Sequence, residues 1–468
     1  MGDRKAAIDL LKAAQDSVND LNNPQRLTHA LHLLSSACMV DPTFDQAFYN
    51  IGNVHSELNQ LPASIACYRR ALQCSPNQEL EAKIANNISW RLHNLGFVDE
   101  SLHYGLRAVE LDPNLHIAWV TLSCLYQTLS DADKEYETAL RGYDLFPSDP
   151  MSELQYAFGC LYSRRLAMGF KHYESRFPYQ LKNYLQLPYP KWNGEDGHTI
   201  FIDADQGLGD TLSFARFIPA AAKKCRYIHC AVQPELLRLF THAFVMFDNV
   251  NVYAKPAPFP AADYWSTFVS LPYNLGLTDD EIRNAPHIEV PQVISPMNWK
   301  VPDRKLHVGI AWFGSALNNI NRHRSIPVTQ FFELYKVPGV QLYAMQVGQG
   351  SQDLYDNNGL ALVRDLSPAI RDVVDTVGLI RHLDLIITCE SALGHIAALA
   401  GKECWVPYSF LGRDYRIGLT GADMIWTPKH RTFNQGKGET WGPVFDRIGL
   451  ALERRIAGAK EKKRAYET

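Results

Sequence analysis

Apolar and polar positions follow two different patterns along the chain. Over the first third, short amphipathic stretches end one after another at prolines, which predicts helices in pairs. From residue 199 onward, short apolar runs alternate with helical patterns. The runs are "TIFIDAD", "YIHCAVQ", "VNVYAK" and "YWSTFVSL", then "LHVGIAWFG", "VQLYAMQV", "LALVRDL", "DLIITCE", "ECWVPYS" and "DMIWTP". Helical patterns such as "SIPVTQFFELYK" and "RDVVDTVGLIRHL" lie between most of them, so the strands predict parallel sheets covered on both faces. Two successive series predict two Rossmann-like domains, residues 199–300 and 301–440, with a cleft at the carboxyl ends of both sheets. Residues 441–468 predict a closing helix and a basic tail.

The first third repeats. Pro42, Pro76, Pro113 and Pro147 stand 34, 37 and 34 residues apart, and Ala37, Ala71, Ala108 and Gly142 each precede one of them by five. Asn59, Gly96 and Ser130 precede the last three small residues by twelve, at turn positions. Ala47 and Ala118 follow a proline by five, and a three-residue insertion falls near "NQELEAK". Small residues let two helices approach, and proline ends the second helix of each pair. The stretch 1–165 resembles tetratricopeptide repeats, whose period is about 34 residues. The resemblance implies a helical solenoid with a concave face, which docks a partner or packs on the next domain. The fold class expected is therefore α + α/β. Residues 166–198 are rich in Tyr, Phe, Trp and Pro, and predict a last helix and an extended connector lying on protein surface.

Composition narrows the class. A chain of 468 residues with 46% hydrophobic and 21% charged content suits a globular protein of two or three domains. The net charge of −4 shows no nucleic-acid footprint across the protein. The one basic cluster, Arg454 to Arg464, reads as a solvated helix turn. Nine scattered cysteines without a CxxC pair point to a reducing compartment. With no transmembrane run and no signal-peptide core, the expected location is cytoplasmic.

Candidate chemistry begins at "DADQGLGDTLSFARFIP". A dinucleotide fingerprint needs a small residue where Leu212 stands, so that reading fails. "DAD" ends a strand directly before a glycine turn, which is a poor metal site. The remaining reading lets the glycines turn the backbone close to a ligand, with Asp210 at a helix start facing the cleft. Asp210 then fits two roles, a helix N-cap or a base accepting a proton from a hydroxyl. In "DLIITCESALGHIAALAGKECWVPYS", small residues open a helix after Glu390 and Ser391. Exposed N–H groups at such a start suit a diphosphate, and His395 follows Ser391 by one turn. In "WFGSALNNINRHRSIPV", Arg322 and Arg324 can neutralise phosphates. "FLGRDYRIGL" places Asp414 and Arg416 in a loop after another strand.

In this order the four stretches resemble the tetratricopeptide-containing branch of the heptosyltransferase-like glycosyltransferases, related to glycosyltransferase family 9 and of the two-domain GT-B type. Relatives carry Glu-Gln-Gly-Leu-Gly-Asp-Thr-Leu-x-Phe-Ala-Arg, matched from Asp205 to Arg216, and Arg-Ser-Ile-Pro, matched from Arg324 to Pro327. Their Asp-Thr-Ala-x-x-His reads Glu390-Ser391-Ala392-Leu393-Gly394-His395 here, which carries the carboxylate one methylene further. An Asp-Trp-Arg-like loop corresponds to Asp414-Tyr415-Arg416, and an Arg-Leu-Phe-Arg-Gln-like segment to residues 431–435. "YESRF" and "PKWNGE" resemble the segments that join repeats to transferase.

The resemblance implies an inverting glycosyltransferase that uses a nucleotide-sugar donor and neither a cofactor nor an obligatory metal. It implies Asp210 as catalytic base. It implies a donor site of Arg322, Arg324, Gln346, Glu390, Ser391, Ala392, Leu393, Gly394 and His395. Gln206, Gly207, Leu208, Gly209, Asp414 and Arg416 would line the acceptor side of the cleft. The acceptor is open between a protein, a lipid-linked sugar and a modified nucleobase, and a protein partner fits the repeat face. The competing expectation is a catalytically inactive GT-B-fold scaffold whose repeats mediate protein contacts.

Overall fold

The computed structural model describes residues 3–21, 23–290, 305–314, 324–411, 414–417 and 424–467. The chain forms two compact units, Met1–Gly159 and Cys160–Thr468.

The first unit is a stack of helix pairs. These are α1 (Arg4–Asn19) with α2 (Arg26–Val40), α3 (Asp45–Glu57) with α4 (Leu61–Gln73), α5 (Gln78–Leu95) with α6 (Val98–Leu111), and α7 (His116–Thr128) with α8 (Ala132–Leu145). Asn59, Gly96 and Ser130 join the helices of their pairs with φ of 57°, 85° and 61°. This left-handed conformation reverses the chain within a residue or two. Ala37, Ala47, Ala71, Ala108 and Ala118 are fully buried where helices cross. At Gly142 an added Cβ would lie 3.1 Å from that of Trp119, so the crossing there is as close as side chains allow. The insertion near "NQELEAK" lengthens α5, which has 18 residues where α3 and α7 have 13.

The second unit holds two parallel sheets. The first contains β1 (Thr199–Asp203), β2 (Tyr227–Val232), β3 (Val250–Ala254) and β4 (Tyr264–Thr267) in the order β3-β2-β1-β4. The second contains β5 (Leu306–Ala311), β6 (Val340–Ala344), β7 (Val363–Asp365), β8 (Leu385–Thr388), β9 (Cys404–Tyr408) and β10 (His430–Asn434) in the order β10-β9-β8-β5-β6-β7. Strand order reverses between β1 and β4 and again between β5 and β8, which opens a crevice at the carboxyl ends there. Both sheets are Rossmann-like in this sense. All of β6 and β9 is buried, because helices cover both faces. Val444, Phe445, Ile448 and Leu452 of the closing helix Trp441–Glu467 join Val308, Ile310, Leu385 and Ile387 in one core.

Two expectations are corrected. The run "DMIWTP" forms no strand over its described residues, 424–428; the last strand is β10, a few residues later. Ile425 and Trp426 are buried by packing on other elements, with Trp426 at φ 69° and its ring against Phe214 and Phe217. The connector is not merely laid on the surface. It forms the helices Leu166–His172 and Arg176–Tyr179, and its Arg176, Phe177 and Trp192 are almost completely buried. Lys191 makes a parallel bridge to Trp265 of β4, so this segment extends the first sheet.

Candidate functional site

The site grows from two strand ends. After β1 the chain turns into the helix Leu208–Phe214, whose N-cap position is Gly207, with no side-chain cap bond. Asp210 is the third residue of that helix, so the capping role left open by the sequence is excluded. After β8, Ser391 takes the N-cap position of the helix Ala392–Leu399 and also makes no side-chain cap bond. Its hydroxyl pairs instead with Thr388 Oγ1 at 2.9 Å. The first N–H groups of that helix are thus left uncapped by the Ser391 side chain, at the positive end of the helix dipole.

These two helices pack on each other. A Cβ on Gly209 would lie 2.6 Å from His395 Cδ2, and Ser213 Oγ stands 3.0 Å from His395 Nδ1. Gly209 is therefore small to admit the facing helix, which corrects the expectation that it admits a ligand. Gly209→Ala is expected to destabilise the protein by about 1–3 kcal/mol through overpacking. A lowered urea midpoint would record this, and an unchanged midpoint would refute the close contact.

Charges converge beside this contact. Arg416 Nη1 lies 2.9 Å from Asp210 Oδ1, while Arg416 forks onto both carboxylate oxygens of Asp414. Arg324 Nη1 lies 3.4 Å from Glu390 Oε1. A small cavity of about 20 Å³ is lined by Glu390, Ser391, Gly394, His395, Arg416 and Trp426 among others. Burial, reinforced by the Asp414 carboxylate, pushes the Glu390 carboxyl up, against the pull of Arg324 and Arg416. Burial and Arg416 push His395 down to about 3, so the ring is neutral near pH 7 and offers a hydrogen bond rather than a charge. Asp414, facing Arg416, is held below the usual carboxylate range despite its burial.

The structure thus brings together Asp210, Arg324, Glu390, Ser391, Ala392, Gly394, His395, Asp414 and Arg416. It does not bring Gln346 to them as a ligand contact. The Gln346 amide accepts from the N–H groups of Trp312 and Phe313 and donates to the carbonyls of Val347 and Gln349, so it braces two strand ends. Gln206 likewise works within the fold, donating to Tyr173 and accepting at its carbonyl from Gln233. Leu393 is buried, while Gly207 is exposed beside Asp210. Arg322 lies outside the described residues. Asp203 and Asp205 are each matched to a cation, Lys255 and Arg176.

Arg216 escaped assignment from sequence. It is buried, donates to the carbonyls of Ser213 and Ala285, and lies over the Trp426 ring at 4.5 Å. Burial and nearby Arg416 push it down to about 9. It carries the helix Leu208–Phe214 onto the Trp426 segment. Its place at the end of "DTLSFAR" was visible, but its partners were not.

Comparison with known proteins adds the following. Residues 45–78 match the tetratricopeptide repeat model, so the chain carries that repeat. It is 24% identical over 453 residues to Protein FlbA of Caulobacter vibrioides, covering 86% of this chain and 72% of that protein. Two solved structures, the first described as a tetratricopeptide repeat protein, also resemble it. YrrB, described as having an unusual peptide-binding site, is 17% identical, covering 39% of this chain and 91% of its own, with a TM-score of 0.31. MamA from Desulfovibrio magneticus RS-1 is 15% identical, covering 39% of this chain and 98% of its own, with a TM-score of 0.33. Among the described residues no helix is long and apolar enough to cross a membrane.

Proposed function

We propose that the chain is an inverting glycosyltransferase of GT-B type, moving a sugar from a nucleotide-sugar to an acceptor hydroxyl, with its repeats docking the acceptor or a partner. The observation that supports this most directly is one ion-pair network joining the two sheets. Asp210 comes from the first, and Arg416, which it meets, lines the pocket at the uncapped start of the helix Ala392–Leu399. In this reading Asp210 takes the proton of the acceptor hydroxyl, whose oxygen bonds to the anomeric carbon. The bond from that carbon to the diphosphate breaks. The helix N–H groups and Arg324 stabilise the charge that builds on the departing diphosphate.

A thermal-shift panel of UDP, GDP, ADP and CDP tests the donor site. A ligand at a hundred times its Kd stabilises the folded state by about 2.7 kcal/mol, an easily read rise in Tm. Stabilisation by one of the four supports the reading. No shift with any of them would favour the inactive scaffold, the reading to which the tetratricopeptide repeat lends support.

A further inference from the structure

The proposed diphosphate site contains a contradiction in charge. Its floor is a helix start suited to an anion, yet the residue just before Ser391 is a carboxylic acid. Glu390 lines the same pocket as Ser391, Gly394 and His395. Its Oε1 faces Arg324 at 3.4 Å, a long contact for a charge-assisted bond. Its Oε2 is buried and has no hydrogen-bond partner among the described residues. A buried carboxylate oxygen with no donor is costly, and a diphosphate would bring only further negative oxygens to it. A protonated carboxyl has neither difficulty. Its O–H is a donor, and a phosphoryl oxygen is the acceptor it lacks.

We infer that Glu390 enters the nucleotide complex as the neutral acid, donating a hydrogen bond from its carboxyl to a phosphoryl oxygen, so that binding takes up one proton from solvent. The inference rests on the donor-site reading above and specifies how that site handles its own carboxylate.

The surroundings favour this state. Asp210 faces Glu390 from the first sheet, and Asp414, Arg416 and Arg324 face it from loops of the second. Tyr408 of β9, Cys389 and His395 complete the shell. Two carboxylates of the same sign, together with burial, oppose ionisation of Glu390, and two guanidinium groups favour it. The balance lifts the carboxyl to about 7. His395, pushed down to about 3, and His430, pushed down to about 4, stay neutral from pH 6 to 8. Burial pushes Cys389 up to about 12 and Tyr408 well above the usual phenol, so neither ionises in that interval.

The sign follows. If only protonated Glu390 admits the ligand, the apparent Kd is the intrinsic one divided by the protonated fraction. For a group at about 7, affinity then falls about tenfold from pH 6 to pH 8. A nucleoside diphosphate also titrates, with a last phosphate ionisation near 6. The comparison must therefore be with Glu390→Gln, which keeps the shape and a donor but cannot ionise.

Isothermal titration of UDP, GDP, ADP and CDP into the full chain at pH 6, 7 and 8 is the test. The expected result is a wild-type affinity that falls by about tenfold more than that of E390Q between the ends of the range. Identical pH profiles for the two proteins would overturn the role of Glu390 while leaving the donor site in place. No binding of any diphosphate at any pH would overturn the donor-site reading, and the inference with it. Should E390Q fail to fold, proton uptake by wild type decides. Titrations at pH 8 in buffers of different ionisation enthalpy should show uptake approaching one proton, and none would overturn the proposal.

Discussion

Arg176→Ala is expected to lower the stability of the second unit by about 3–5 kcal/mol, the usual cost of breaking a buried ion pair from one side. Arg176 is 1% exposed and belongs to the connector, yet its guanidinium reaches the ends of two strands. It donates to Asp205 Oδ2 at 3.0 and 3.1 Å, to Glu174 at 2.6 Å, to Thr267 at 2.9 Å and to Ser270 at 2.8 Å. Burial pushes the Asp205 carboxyl up even against this cation, whereas Glu174, which Lys191 also faces, is held below its usual range. Removing the guanidinium leaves Asp205 buried beside the Thr267 hydroxyl and without its paired cation.

Urea denaturation followed by tryptophan fluorescence reads the loss. Neutralising the whole cluster should cost less than breaking it, because desolvated charge is the source of the penalty. The triple change Arg176→Met, Glu174→Gln and Asp205→Asn is therefore expected to recover a large part of the loss. A fall below about 1 kcal/mol for Arg176→Ala would show that the cluster is solvated and weakly coupled. The effect should reach the candidate site, because Asp205 opens the loop to Asp210 and Tyr173 accepts from Gln206 Nε2 at 3.0 Å.

The sequence was most legible where structure is locally encoded. Asn59, Gly96 and Ser130 mark reversals between neighbouring helices, and the small residues that follow mark crossings within the same pair. Each signal lies inside one repeat, so the period exposes it. Strands β1 to β9 were legible for a related reason: each lies in a short apolar run, and all but β3 and β7 are largely buried. The last run failed because an apolar segment can be buried by a sheet or by side chains, and Ile425 and Trp426 take the second course. Gly209 shows a similar ambiguity. A glycine at a helix start allows close approach, but spacing does not say whether ligand or helix comes close. Arg176 was the least legible, since its carboxylate and hydroxyl partners at residues 205, 267 and 270 are assembled only by the folded sheet.

Asp210→Asn is expected to lower sugar transfer by about 10²–10⁴-fold, the range that a positioned general base supplies. The substitution keeps the shape of the side chain and removes its capacity to hold a proton. It should leave the helix Leu208–Phe214 intact, since the N-cap is Gly207 and Asp210 makes no capping bond. Arg416 should also stay in place, because its fork onto Asp414 is independent of Asp210. Nucleotide affinity is therefore expected to change little, and the loss should fall on turnover. This separation distinguishes a base from a residue that only orders the donor pocket, whose removal would weaken binding as well. The measurement is single-turnover transfer of labelled sugar from the donor identified by the nucleotide panel, with diphosphate affinity measured in parallel. Wild-type turnover by Asp210→Asn would remove Asp210 from the chemistry. Loss of nucleotide binding together with turnover would instead assign it to holding Arg416 at the rim of the pocket.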